Sequence, residues 1–153
     1  MLPKWHILYG FIFSLVLINF FNFSLFSGLI VFLASVFIDL DHVLFYFLKT
    51  KNLNPWKFYN WSMTRRKEWL KLTNEERKIY KFPYFVLHGI ELIIVLVALS
   101  YLHIFFFWIL LGILLHFILD ISELAHNKFH ISYKTSQIWL WQRNKNRKEF
   151  VVE

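Results

Sequence analysis

Four apolar stretches, each about as long as a bilayer is thick, constrain this chain more than any other feature. A transmembrane helix needs about 20 mostly apolar residues, and the stretches cover approximately residues 7–26, 28–48, 83–101 and 104–121. Their hydrophobicity is continuous rather than alternating, which favours helices over strands. We therefore predict an all-α polytopic membrane protein, in which residues 1–153 form a single membrane domain built on a four-transmembrane-helix bundle.

The basic residues all lie outside these stretches. The chain carries 17 Lys and Arg against 10 Asp and Glu, a formal charge of +7. Every base falls before the first stretch, in the connection 49–82 or in the segment 122–153. Four spans place these three regions on one side of the membrane, and the positive-inside rule makes that side cytoplasmic. We predict a helical cytoplasmic loop at 49–82, a cytoplasmic tail at 122–153, and both termini in the cytoplasm.

The predicted loop and tail mix basic with aromatic side chains. Thr73 and Glu76 have the spacing of a capping box, which predicts a helix beginning at Asn74, and a shorter helix is expected from Ser62 through Leu72. An interfacial aromatic belt with topology-setting charges explains this composition. Attraction to anionic membrane lipids and binding of a protein partner are the alternatives, whereas nucleic-acid binding is not expected.

The apolar stretches contain carboxylates but no Lys or Arg. All three Asp of the chain and Glu91 lie within them, and an acidic residue at the centre of such a helix costs about 2.5–3.5 kcal/mol. Protonation, imidazolium partners or a bound cation could compensate. Several His lie near these acids at the predicted cytoplasmic depth, and neutral His is a common metal ligand. We predict a metal site, with a metal-free polar network or an ion pathway as alternatives; the candidate ligands are His6, Asp39, Asp41, His42, His88, Glu91, His116 and Asp120.

Helical spacing sorts some of these candidates onto faces. His116 and Asp120 are four residues apart and share one face of a helix. Asp39 and His42 are three apart, whereas Asp41 lies roughly 200° around a regular helix from Asp39. Either the site holds more than one ion, or Asp41 orients His42 from outside the ligand shell. Three further residues are candidates for the surroundings of the site: Glu123, His126 and Tyr84.

The number and kind of candidate ligands indicate the chemistry. They exceed the four ligands of a single zinc ion and suit two or more divalent ions, with zinc favoured and manganese or iron as alternatives. Paired ions about 3.5–4 Å apart activate water and stabilise phosphoryl transfer. We predict a membrane-embedded metal-dependent hydrolase that acts on a phosphoester of a lipid or another amphiphile, with Asp39 or Glu91 as the catalytic base. The alternative is a non-catalytic metal-binding scaffold or adaptor; a transporter ranks last.

The order of these motifs resembles a known family. The Asp-x-Asp-His sequence at 39–42, the His-x-x-x-Asp sequence at 116–120 that follows Gly112, and an N-terminal His are similar to motifs of small integral-membrane predicted metal-dependent hydrolases of bacteria and archaea, the type named after an inner-membrane protein reported to bind the SOS repressor. The last motif also resembles the zinc-dependent phospholipase C group. The resemblance implies a hydrolase in the cell membrane of a prokaryote, with Glu91 in place of a family His.

Overall fold

Most of the chain that the structure describes is helical. A computed structural model describes residues 3–127 and 132–150, and the remaining parts of the predicted N-terminus and tail lie outside the described residues. Within the described ranges the only strand-like pairing is an isolated bridge between Tyr80 and Lys148, so the all-α prediction is confirmed. The helices are α1 Pro3–Phe20, α2 Leu25–Phe37, α3 Leu40–Thr50, α4 Pro55–Lys71, α5 Asn74–Ile79, α6 Ile90–Ser100, α7 Ile104–His126, α8 Ser132–Thr135 and α9 Gln137–Asn144.

Two of the four predicted spans are long and apolar enough to cross a membrane. They are Leu25–Thr50, which comprises α2 and α3, and α7. The other apolar helices, α1 and α6, are shorter than the about 20 residues that a span needs. The structure therefore supports two candidate spans among the described residues, and the full four-helix transmembrane arrangement stays a prediction.

The third predicted span, 83–101, is wrong at its beginning, because its first seven residues are not helical. The backbone N–H of Phe85 donates to the side chain of Gln137 (3.1 Å), and that of Leu87 donates to Asp41 (3.2 Å). These side-chain acceptors replace the carbonyls that a helix would provide. The extended segment therefore connects the tail to the motif at the beginning of α3.

The apolar core lies where α2, α6 and α7 meet. Helix α2 packs against both α1 and α7, and α6 packs against α7. The buried side chains at the centre of the core come from the end of α2, from α6 and from α7: Ile38, Leu96, Leu110 and Ile113. Burial of such aliphatic side chains contributes about 25 cal/mol per Å² of apolar area. This core holds α2 and α7 in fixed register just before their polar segments.

A glycine permits the close contact between α2 and α7. A Cβ at Gly112 would overlap the carbonyl oxygen of Val31 and lie 2.8 Å from the Cβ of Ala34. The backbones therefore approach to a distance that only Gly allows. One turn further along α7, His116 consequently comes within hydrogen-bonding distance of the backbone of α2.

The predicted loop and tail fold together into one helical cap, which we define as residues 55–82 and 132–150. The capping box of Thr73 and Glu76 is confirmed at the beginning of α5. Helix α4, however, begins at Pro55 rather than at Ser62, because the Asn54 side chain accepts the first backbone N–H groups of that helix and Pro is favoured in a first turn.

Several bases of the cap bind carbonyl oxygens rather than facing solvent. Arg77 is buried and donates to the carbonyls of Trp69 and Leu70. Arg143, on α9, donates to the carbonyls of Tyr80 and Arg77. Part of the positive charge therefore holds the tail against the loop, in addition to any role in topology.

Candidate metal centre

A helix break exposes the carboxylate of the first motif residue. Helix α2 ends at Phe37 and α3 begins at Leu40, so that Asp39 is the N-terminal cap residue of α3. Its side chain makes no capping hydrogen bond and is directed toward the ring of His88, with 3.3 Å between Asp39 Oδ1 and His88 Nε2. The break thus supplies a carboxylate that would otherwise be one more side chain on a continuous helix.

The Nε2 atoms of two imidazoles lie close together, and each of two carboxylates places an oxygen near both. The Nε2 atoms of His88 and His116 lie 3.1 Å apart. Asp39 Oδ1 lies 3.3 Å and 3.7 Å from these nitrogens, and Asp120 Oδ2 lies 3.7 Å and 3.5 Å from them. Ligands about 2.0–2.1 Å from a tetrahedral metal ion are separated from one another by about 3.3 Å. The separations between these nitrogens and oxygens are close to that value.

Two more histidines extend this group on opposite sides. The ring of His6 stacks on that of His116 at 3.9 Å, and its Nε2 lies 3.6 Å from Asp120 Oδ1. His42 Nε2 lies 3.4 Å from Asp39 Oδ1. Both nitrogens of His6 are buried and lack a hydrogen-bond partner among the described residues. Such an arrangement is costly without a ligand, because buried polar atoms normally have a partner.

The converging residues form three overlapping sets of metal ligands. Within each set the donor atoms lie no more than 4.8 Å from one another, so the cluster could hold a metal ion. We call these six residues the His/Asp cluster; the sets are His6, Asp39 and His116; Asp39, His42 and His88; and His88, His116 and Asp120.

In His88 and His116, the Nδ1 atom, which points away from the cluster, lies next to a buried hydrogen-bond acceptor. Asp41 Oδ2 lies 3.0 Å from Nδ1 of His88, and the carbonyl oxygen of Ser35 lies 2.8 Å from Nδ1 of His116. A ligating His almost always donates its second N–H to such a group, which fixes the tautomer and the ring orientation. The carboxylate of Asp41 is thus placed to orient His88, rather than His42 as in one of the two alternatives that the helical spacing left open.

The structure does not bring Glu91 into the His/Asp cluster. Its carboxylate accepts from the hydroxyl of Ser136 (2.7 Å) and from the backbone N–H groups of Gln137 and Ile138. It therefore caps the beginning of α9, and it belongs to none of the ligand sets found among the described residues. The three-residue spacing from His88 was misleading, because His88 precedes α6 and does not share its helical register.

The three less certain residues lie around the cluster rather than in it. Glu123 is partly buried and pairs with Arg66 of the cap at 2.6 Å. His126 is exposed at the end of α7 and lines a shallow cavity beside α1. The hydroxyl of Tyr84 lies 3.5 Å from the carbonyl of Trp141. Glu123 and Tyr84 therefore contact the cap.

A buried lysine lies at the site and was not predicted from the sequence. Lys134, in α8, donates to Asp120 Oδ2 at 2.7 Å. Burial lowers the pKa of Lys134, but the neighbouring carboxylate of Asp120 outweighs this effect and raises it above its usual value. No local signal could have found this contact, since the base lies in the tail and its partner lies one segment earlier in an apolar helix.

Carboxylates surround the imidazoles of the His/Asp cluster. Asp39 and Asp120 are among its donors and Asp41 contacts His88, while Lys134 pairs with Asp120. Imidazole and carboxylate groups are common metal ligands, so the donor atoms fit a metal ion.

Comparison with known proteins gives no family assignment. No protein-family model, no curated protein and no solved structure matches the chain.

Proposed function

We propose that the protein is a membrane-embedded hydrolase that uses two or more divalent metal ions, with zinc favoured, to cleave a phosphoester at the cytoplasmic surface of a prokaryotic membrane. The observation that carries this proposal is the convergence of four imidazoles and two carboxylates with ligand-like separations. The acceptors on the second nitrogens of His88 and His116 support it. Such acceptors belong to metal sites that are built to hold their ligands in one orientation.

The residues of the cluster divide into buried residues that would hold the metal and partly exposed residues that water can reach. His6, His88, His116 and Asp120 are at most 3% exposed and would hold the metal. Asp39, with its side chain 22% exposed, borders a cavity and can also reach a proton of an incoming water molecule. Divalent ions at such a site lower the pKa of water and stabilise the charge that develops on phosphorus oxygens.

The exposed apolar surface supports a location in the membrane. In the most apolar 18-residue stretch of Leu25–Thr50, only 22% is buried within the protein, and in that of α7 only 28% is buried. A core helix of a soluble protein would bury most of such a stretch. Alkaline carbonate extraction of membranes should leave the chain in the pellet. Because the chain lacks Cys, single-cysteine variants at Asn60 and Tyr101 should be labelled from opposite sides of the membrane.

The hydrolase proposal is tested with bis(p-nitrophenyl) phosphate and protein purified with its metal. The His116→Ala variant should lose bound metal and activity together, since its Nε2 lies at the centre of the cluster. His103→Ala makes the same chemical change at the opposite end of α7, where the ring caps the helix through the N–H of Phe105, and it should retain both. Wild-type protein with stoichiometric metal that cleaves neither phosphodiesters nor phosphomonoesters would refute hydrolysis.

A metal-binding scaffold is the second candidate. The cluster joins α1, α3, α7 and the segment that carries His88, so that a bound ion would hold four parts of the chain together. This role predicts that His116→Ala lowers the thermal unfolding temperature sharply while the intact protein hydrolyses nothing. The function of the molecule would then be to bind a protein partner through the cap.

A further inference from the structure

A largely apolar cavity lies beside the His/Asp cluster, between α3, α4 and residues 82–85. Its volume is about 460 Å³, within the range of about 300–1,000 Å³ found for small-molecule sites. Aromatic and aliphatic side chains form most of its wall. They include Phe45, Phe58, Trp61, Trp69 and Phe85.

One end of the cavity reaches the cluster. Asp39, His42 and Lys134 all line it, and the first two are the partly exposed members of the cluster site, at 22% and 29%. The remaining ligands are almost completely buried. The cavity therefore adjoins the side of the candidate metal centre from which a molecule can approach.

The wall of the cavity also includes exposed apolar side chains. Phe37 and Leu40 line the cavity on either side of Asp39 in the chain and are 54% and 55% exposed. Both belong to the candidate span Leu25–Thr50. A molecule that entered beside them would come from an apolar surrounding rather than from water.

The charges in the wall favour an anion. The wall contains three basic residues and two acidic ones: Arg65, Arg66 and Lys134, and Asp39 and Glu123. Arg66 and Lys134 pair with carboxylates, whereas Arg65 donates to the carbonyl of Phe150 and lies 5.3 Å over the ring of Trp61. A guanidinium that binds a carbonyl keeps its positive charge for an anionic ligand.

From this combination we infer that the cavity binds one alkyl or acyl chain of an anionic phosphate amphiphile, with the phosphate at the Asp39, His42 and Lys134 end and the chain between α3 and α4. The inference rests on the proposed function, because it names the substrate class of that site. It also makes Val43 and Ser62, which face the cavity from α3 and α4, determinants of chain length.

The binding test uses two cavity-filling variants with matched controls. Ser62→Phe and Val43→Phe place a ring in the cavity, whereas Asn60→Phe and Leu44→Phe add the same ring on the same helices at exposed positions outside the cavity wall. Stoichiometric metal and an unchanged unfolding temperature show that each variant is folded. The probe is hexadecylphosphonate, whose carbon–phosphorus bond is not hydrolysed, measured by quenching of tryptophan fluorescence with ethylphosphonate as the short-chain control.

The filling variants should bind hexadecylphosphonate at least about tenfold more weakly than wild type and the control variants, because a filled cavity must distort to admit a chain. Binding of ethylphosphonate should be equal in all five proteins. Equal hexadecylphosphonate binding by filled and control variants would overturn the inference and would indicate simple partition into the surrounding lipid.

Hydrolysis of hexadecyl and methyl p-nitrophenyl phosphate separates this inference from the proposed function. Cleavage of both esters with equal kcat/KM, unchanged in Ser62→Phe, would refute the chain site and leave the hydrolase intact. Cavity-dependent phosphonate binding without cleavage of either ester would support the chain site and refute hydrolysis. Both proposals hold if the long ester is preferred and Ser62→Phe removes that preference.

Discussion

The three aspartates and the two glutamates near the apolar helices bind different partners. Asp39, Asp41 and Asp120 all contact imidazoles of the buried cluster. Glu91 and Glu123 instead bind the cap, through the beginning of α9 and through Arg66. The shorter side chains reach the imidazoles, whereas the longer ones reach partners in the cap. A carboxylate in an apolar segment is therefore a metal-ligand candidate where its oxygens contact these imidazoles, as those of Asp120 do although Lys134 of the cap also binds Oδ2.

The largest effect on the metal is expected when a central ligand is removed. His88→Ala should abolish metal binding and hydrolysis, because the ring contacts Asp39, Asp41 and His116. Metal content by inductively coupled plasma mass spectrometry and phosphodiesterase activity measure both effects. Retention of stoichiometric metal in this variant would mean that the cluster is a hydrogen-bonded network rather than a metal site.

Asp41 should have an intermediate effect, because it acts through His88. Asp41→Asn keeps the shape of the side chain but removes the charge that orients the ring. Metal affinity should fall about 10- to 100-fold, as is typical for partners of metal ligands, and a competition titration with a chromophoric chelator measures this change. A complete loss of binding would instead make Asp41 a direct ligand.

The approach of α7 to α2 tests how far the cluster depends on packing. Gly112→Ala should lower the free energy of unfolding by about 1–3 kcal/mol, since the added methyl group meets the backbone of Val31. Gly28→Ala is the matched control, because its methyl group meets the end of the flexible Ile18 side chain. Chemical unfolding followed by circular dichroism should rank Gly112→Ala as the more destabilised variant; the reverse order would argue against the close contact.

Glu91 should have the smallest effect on the metal. Glu91→Gln removes the charge that strengthens the hydrogen bonds to Ser136 and to the backbone of α9, at a cost of about 1 kcal/mol in stability. Metal content should stay at the wild-type value while the tail unfolds more readily, which limited proteolysis can detect. Loss of metal in this variant would return Glu91 to the ligand set.

The type of fold and most of the cluster could be predicted from the sequence, since apolar length and the His-x-x-x-Asp spacing of His116 and Asp120 are local signals. The break at Asp39, which gives Asp39 and Asp41 opposite sides of one imidazole, could not be predicted. Nor could the contact of Lys134 with Asp120, which depends on how the tail folds over the helices. Both features are set by tertiary contacts rather than by the local sequence pattern.

X-ray absorption spectroscopy of the purified protein tests the central claim most directly. A metal in the His/Asp cluster should give nitrogen and oxygen neighbours at about 2.0–2.2 Å, with imidazole scattering. Because His88→Ala should lose the metal, the whole signal should be lost in that variant and retained in Glu91→Gln. Protein that contains no stoichiometric metal, or a metal whose spectrum is unchanged in His88→Ala, would contradict the account.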